Sequence, residues 1–165
     1  MRRHDREMPR EFAIEVVDKC EYAVLAMLDP DGAPYCVPLS IVRMGERIYF
    51  HSARDGFKLD CLKASPRVCI SCVGDTCRAK DKFTTEFESA IVRGTAEVVT
   101  DDAERIAALR ALCERHTPSN MAQFDAAIER SLARTLVVSV SIESITAKRK
   151  KYDKNGEEMK FARME

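Results

Sequence analysis

The sequence predicts a mainly β fold: an antiparallel β-barrel, closed or split, with flanking helices. Six or so apolar stretches rich in β-branched and aromatic residues have the length of strands. Short turns at residues 29–32 and 44–46 join several of these stretches, which favours antiparallel pairing. Helical patterns are limited to the beginning, one short crossover and a late pair. A barrel would remove the exposed edges that so many strands otherwise leave.

The first third of the chain predicts a capping helix and then an antiparallel meander. Residues 8–20 carry apolar side chains at helical spacing, and Pro9 lies near the start of this helix. Pro38 lies inside the second predicted strand, and because proline cannot donate to a ladder, it must lie at an edge, a bulge or a barrel break. The three strands of the meander are expected at residues 22–28, 34–42 and 47–51.

The remainder predicts one short helix, two long strands, a helical pair and a last strand. Gly94 indicates a bulge or bend in the longer of the two strands. Asp101 and Glu104 resemble a capping box at the start of an amphipathic helix, and Thr117-Pro118 starts a second one. The short helix is expected at residues 56–64, the strands at 67–73, 84–99 and 135–145, a polar loop at 74–82, and a basic, polar C-terminal tail at 148–165.

Composition is typical of a single soluble domain, and residues 1–165 are expected to form one. The formal net charge is zero, so no overall basic field attracts nucleic acid. No apolar run approaches the roughly 20 residues that span a bilayer. The charged N-terminus lacks a following apolar stretch, which argues against a secretory signal. Seven cysteines within apolar patterns predict reduced thiols and a cytoplasmic location.

Residues 49–58 predict the end of a strand, a tight turn and the start of a helix, with Asp55 as the N-cap. A helix start offers free backbone N–H groups and a partial positive charge. Ser52 adds a hydroxyl group, and Arg54 and Lys58 add cations, so the stretch would suit a phosphate monoester. The alternative is an ordinary strand-to-helix connection with solvated charges.

Histidine and cysteine residues offer weaker signals. Cys69 and Cys72 form a Cys-x-x-Cys pattern, but residues three apart on a strand point to opposite faces, so core packing is predicted rather than metal binding. His51, at a strand end, is structural, donates to a phosphate or flavin, or binds haem iron. His116 is expected to interact with a helix dipole. Ser89 faces either solvent or a ligand pocket.

Three stretches together resemble the FMN-binding split-barrel superfamily related to pyridoxamine 5′-phosphate oxidase. They are residues 32–40 (GAPYCVPLS), residues 49–59 (YFHSA through GFKL) and residues 88–94 (ESAIVRG). Their order and spacing are most similar to those of the NimA-like, nitroimidazole-resistance branch. The similarity extends over most of the chain.

The resemblance implies a homodimer that holds two FMN molecules at the subunit interface. Residues 37–40 would lie against the isoalloxazine ring, residues 51–53 and Lys58 would surround the ribityl chain and phosphate, and Ser89 would approach from a later strand. No catalytic residue is assigned. The implied cofactor-binding residues are Val37, Pro38, Leu39, Ser40, His51, Ser52, Ala53, Lys58 and Ser89.

Residues 135–152 depart from the pyridoxamine phosphate oxidases because they lack the Arg- and His-containing signature that grips the substrate phosphate. This argues against pyridoxal phosphate synthesis. The expected function is a flavin-dependent reductase of small electron-poor aromatics such as nitroimidazoles, with a nicotinamide donor. The alternatives are a flavin- or haem-binding carrier or sensor without turnover, and a structural dimer that has lost its cofactor.

Overall fold

The computed structural model describes residues 2–80 and 82–161 of the chain. Four α-helices lie within those residues: α1 (Arg10–Lys19), α2 (Phe57–Ala64), α3 (Asp102–His116) and α4 (Phe124–Ser131). The strands of the described residues are β1 (Glu7–Met8), β2 (Ala23–Leu28), β3 (Pro34–Leu39), β4 (Val42–Met44), β5 (Arg47–Ala53), β6 (Arg67–Arg78), β7 (Thr85–Val98), β8 (Thr135–Ser141) and β9 (Ser144–Lys150). None of the helices described is long and apolar enough to cross a membrane.

Strand β7 is shared by two antiparallel sheets. One sheet contains β3, β2, β6, β7, β9 and β1, and the other contains β7, β8, β5 and β4. Strand β7 pairs with β9 as far as Arg93 and with β8 from Ala96. Between them, a Cβ atom added to Gly94 would lie 1.7 Å from the carbonyl oxygen of Ser141, so glycine permits the close approach of the two backbones. The predicted mainly β, split-barrel fold is confirmed.

The main core lies between the two sheets, and helix α1 closes it as predicted. Val16 and Val17 of α1 are fully buried. A second apolar cluster lies on the other face of the smaller sheet, where Tyr49 and Val137 contact helices α3 and α4. The capping box prediction is confirmed in part, since the Asp101 carboxylate accepts a hydrogen bond from the Glu104 amide at 2.7 Å.

The predicted meander is wrong, because the expected strand at residues 34–42 is divided in two. Its first part, β3, pairs with β2 in the larger sheet, whereas its second part, β4, pairs with β5 in the smaller sheet. Ile41, at the crossing, is only 1% exposed, so its burial in the core accompanies the change of sheet. Pro38 lies on β3, at one edge of the described sheet, in agreement with prediction.

Two other strand predictions are too short. Strand β6 continues to Arg78 through a register shift between Val73 and Thr76, so the predicted loop at residues 74–82 begins later than expected. Asp81, in that loop, lies outside the described residues.

The predicted last strand is also divided, into β8 and β9, and β9 runs to Lys150. The predicted basic tail therefore begins too early, because residues 148–150 belong to β9. Ala147 is buried at 2% exposure and pairs with Ala90, while the lysines beside it occupy the outer face. Residues 162–165 of the predicted tail lie outside the described residues.

Candidate functional site

Helix α2 begins directly after strand β5, as the sequence predicts, but its N-cap is Gly56 rather than Asp55. Gly56 has a φ of +126°, a conformation that L side chains rarely adopt, and this turn places the glycine at the cap position. The amides of Leu59 and Asp60 donate to the Gly56 carbonyl oxygen at 2.8 and 3.3 Å. The amides of the preceding first-turn residues lack an intrahelical acceptor, as at every helix start, and are available to an anion.

Lys58 supplies a cation at this helix start. Its side chain is half-buried, and its Nζ lies 5.2 Å from the centre of the Phe50 ring. Among the residues that the structure describes, Lys58 forms no salt bridge. Burial lowers the pKa of Lys58 below its ordinary value, because desolvation disfavours the ammonium. A partly desolvated, unpaired ammonium beside free amides fits a phosphate group, which would pair with it.

The two other predicted phosphate ligands, Ser52 and Arg54, differ in their surroundings. Ser52 is 9% exposed and lies on the inward face of β5, opposite His51 and Ala53. The Arg54 guanidinium donates a hydrogen bond at 2.6 Å to the carbonyl oxygen of Ala133. Phe50, whose ring the Lys58 ammonium approaches, lies on the same face of β5 as Ser52, so a phosphate at the helix start would meet Lys58 and backbone amides on the Ser52 side of the strand, without Arg54.

A cavity of about 390 Å³ lies between the outer face of strand β5 and helices α3 and α4. Ser40 and His51, which come from two of the three stretches that carry the family resemblance, both line it. Its volume falls within the range of small-molecule sites. The apolar part of the lining comes from the helical pair: Leu109, Leu112, Phe124, Ala127 and Ile128. The polar part includes Cys113, His116, Thr117, Ser131 and Thr135.

Two histidines line this cavity. Partial burial of its ring lowers the pKa of His51, and the nearby Lys58 and His116 lower it further. His116 is the last residue of α3, but its ring does not simply meet the helix dipole as predicted. Its Nε2 lies 2.9 Å from the carbonyl oxygen of Ile41, at the crossing between the sheets.

The other predicted cofactor residues lie at different positions. Val37 and Leu39 pack against the main core, so they can meet a ligand through backbone groups, whereas Pro38 is on the opposite, exposed face of β3. Ser89 lies on β7, paired with Val73 and Lys148, and does not line the cavity.

The cavity wall formed by α3 and α4 was not predicted. The sequence indicates both amphipathic helices, and their apolar faces are the signal that some surface must cover them. Local sequence patterns do not specify which face of which sheet the two helices pack against.

The Cys-x-x-Cys pattern divides between two faces of β6, as predicted. Cys72 is fully buried in the core, whereas Cys69 is half-buried on the other face. All seven cysteines lie in described residues and are free thiols. The neighbouring Cys72 thiol and the Arg115 guanidinium lower the pKa of the Cys20 thiol below its ordinary value. In the part of the chain that the structure describes, no group of three or more candidate ligands could hold a metal ion.

Residues 9–149 match the family model for pyridoxamine 5′-phosphate oxidase. The chain belongs to this family. The resemblance inferred from the three stretches is thereby confirmed. No curated protein matches the chain significantly.

Solved structures of similar fold carry several descriptions. A candidate 5-nitroimidazole antibiotic resistance protein from Bacteroides thetaiotaomicron is 22% identical, with 87% of this chain and 86% of that chain covered and a TM-score of 0.73. An FAD and heme binding protein from Mycobacterium smegmatis is 26% identical, with coverage of 88% and 73% and a TM-score of 0.74. A flavocytochrome from Azotobacter vinelandii is 21% identical, with coverage of 90% and 72% and a TM-score of 0.73.

Proposed function

We propose that this protein is an FMN-binding oxidoreductase that reduces small electron-poor aromatics such as nitroimidazoles. One observation carries the proposal: two stretches that are separate in the sequence, residues 32–40 and 49–59, supply groups suited to the parts of one flavin. Ser40 and His51 line a single cavity, and Lys58 is close enough to His51 to lower its pKa. The relative described as a candidate nitroimidazole resistance protein supports this choice of substrate class.

The phosphate of FMN would bind Lys58 and the free amides at the start of α2. Pairing with a phosphate dianion offsets the cost of partly burying the Lys58 ammonium. The isoalloxazine ring would lie against the backbone of residues 37–39 and the Ser40 side chain, with His51 beside it and Ala53 next to the ribityl chain. When bound, FMN supplies hydride or single-electron transfer.

The proposed assembly is a homodimer with FMN at the subunit interface. Ser89 does not line the cavity, so its assignment to the cofactor rests on the family resemblance alone. The reducing equivalents would come from a nicotinamide donor. The proposed location is the cytoplasm, a reducing compartment that suits seven cysteines without disulfide bonds among the described residues.

A carrier or sensor of flavin or haem is the second candidate, and His51 is the observation that favours it. His51 stays accessible at the cavity, and its lowered pKa favours the neutral imidazole, the form that binds haem iron. Two of the similar structures are described as a flavocytochrome and as an FAD and heme binding protein.

Anaerobic kinetics distinguish an enzyme from a carrier. FMN-loaded protein is mixed with NADH or NADPH, and flavin absorbance is followed before and after addition of a nitroimidazole. The enzyme proposal predicts flavin bleaching by a nicotinamide, then recovery of the absorbance with loss of the nitro chromophore. Flavin that stays oxidised with both donors, or that is reduced but does not transfer to the nitroimidazole, would contradict the proposed reaction.

A further inference from the structure

Three hydroxyl groups that line the cavity on its helical side have used their hydrogens inside the protein. The Ser131 hydroxyl donates to the carbonyl oxygen of Ala127 at 2.6 Å, and the Thr135 hydroxyl donates to that of Ser131 at 2.9 Å. The Thr117 hydroxyl donates to the Cys113 carbonyl oxygen at 3.3 Å. Each of these hydroxyl oxygens therefore offers lone pairs rather than a hydrogen to a molecule in the cavity.

The His116 ring also donates a hydrogen to a group inside the protein. The Ile41 carbonyl oxygen can only accept, so Nε2 of the neutral ring carries the hydrogen and donates it across the 2.9 Å contact. This fixes the tautomer and leaves a lone pair on Nδ1. Among the described residues Nδ1 forms no hydrogen bond, so it is available to a ligand in the cavity that His116 lines.

We infer that the side of this cavity lined by helices α3 and α4 is a substrate subsite for small planar aromatics that carry an N–H or O–H donor, such as unsubstituted azoles and phenols, and that His116 Nδ1 accepts that hydrogen. The apolar wall of Leu112, Phe124 and Ile128 would contact the ring faces, while the acceptor groups select the donor. An N-alkylated or O-methylated analogue would leave these acceptors unpaired, which costs affinity. The inference deepens the proposed function and rests on it in treating the ligand as a substrate.

The test compares two probes that differ by one methyl group, 4-nitroimidazole and 1-methyl-4-nitroimidazole. Their dissociation constants are measured by calorimetry on the full chain, both without flavin and after FMN loading. The wild-type protein should bind the N–H compound about 3- to 10-fold more tightly, the effect of one net hydrogen bond. Equal affinity for the two probes, or preference for the methylated one, overturns the inference.

Substitutions assign the preference to His116. In His116→Leu the ratio of the two dissociation constants should fall to about one, whereas His116→Gln, whose amide N–H can still donate to Ile41 and whose oxygen can accept, should retain part of it. Glu114→Gln, an exposed position on the same helix, is the matched control and should keep the wild-type ratio. A preference that survives in His116→Leu overturns the role of His116.

Nitrogen-15 NMR of the histidine ring gives a second readout that does not require a folded His116→Leu variant. In the wild-type protein, Nε2 of His116 should be the protonated nitrogen, and the N–H probe should shift the Nδ1 resonance more than the methylated probe does. Protonated Nδ1 in the neutral ring, or equal shifts with both probes, contradicts the inference. Probe selectivity without flavin binding would refute the proposed function alone, whereas flavin binding without selectivity would refute this inference alone.

Discussion

Replacement of Lys58 by methionine tests the phosphate site while the packing of the side-chain stem is retained. A charge-assisted hydrogen bond to a phosphate contributes about 1.5–3 kcal/mol. Its loss should therefore raise the dissociation constant of FMN about 10- to 150-fold. Fluorescence quenching of FMN on titration with protein measures this directly.

The same substitution should not weaken the fold. Burial lowers the pKa of Lys58, which means that the folded state disfavours the ammonium relative to the unfolded chain. Removal of the charge removes that penalty, so the flavin-free Lys58→Met variant should unfold at the same urea concentration as wild type or at a higher one. Weaker FMN binding together with an undiminished unfolding midpoint is the expected signature of a binding residue.

Lys63 provides the control on the same helix. Its side chain is 74% exposed, and its Nζ lies 3.6 Å from the Asp60 carboxylate. Exposed pairs of this kind contribute little, so Lys63→Met should change FMN affinity less than about twofold. The reasoning would be refuted if Lys58→Met left the affinity unchanged, or if both variants weakened binding equally.

Three further predictions concern stability. Gly94→Ala should lower the free energy of unfolding by about 3 kcal/mol or more in urea titrations, because its Cβ would overlap the Ser141 carbonyl; a loss below about 1 kcal/mol would contradict that packing. Burial and the 2.8 Å hydrogen bond to Glu104 raise the pKa of Tyr49 from 10.0 to about 12. Between those pH values the unfolded state loses the Tyr49 proton first, so the free energy of unfolding should fall as pH rises. The Tyr49→Phe variant should not show this decline. Because the pKa of His51 is lowered in the folded protein, the unfolded state binds more protons just below pH 6.5. The free energy of unfolding of the flavin-free protein should therefore rise with pH in that window. If His51→Gln showed the same rise with pH, the rise could not be assigned to His51.

Local patterns in the sequence were sufficient for the fold class. Alternation of small and branched residues places Val68, Ile70 and Cys72 on one face of β6, all nearly inaccessible to solvent. The cap at Asp101 was likewise readable from three neighbouring residues. Features of this kind depend on contacts within a few positions along the chain.

Strand partners could not be predicted in the same way. The change of sheet at Ile41 depends on core contacts with distant residues, and the preceding strand pattern continues through it without a break in hydrophobicity. Strand β9 was assigned in part to a tail because its lysines dominate the composition, although Ala147 keeps the alternation that a paired strand needs.

The candidate site could likewise be predicted only where it depends on residues that are close together in the sequence. The helix start and Lys58 follow from one continuous stretch, although the structure has Gly56 rather than Asp55 at the cap. Arg54 was assigned to the same group, but its carbonyl acceptor Ala133 lies 79 residues away, which no local pattern indicates. The pairing of His116 with Ile41 is separated by 75 residues and was missed for the same reason.

The visible absorption spectrum of the purified protein, recorded before and after incubation with FMN and desalting, tests the central claim most directly. The account predicts the two absorption bands of oxidised flavin, retained through desalting at one FMN per chain in wild type and Lys63→Met, and largely lost in Lys58→Met. A Soret band after incubation with haem, without retained flavin, would instead support the carrier function at His51. A wild-type protein that retains no flavin would contradict the account.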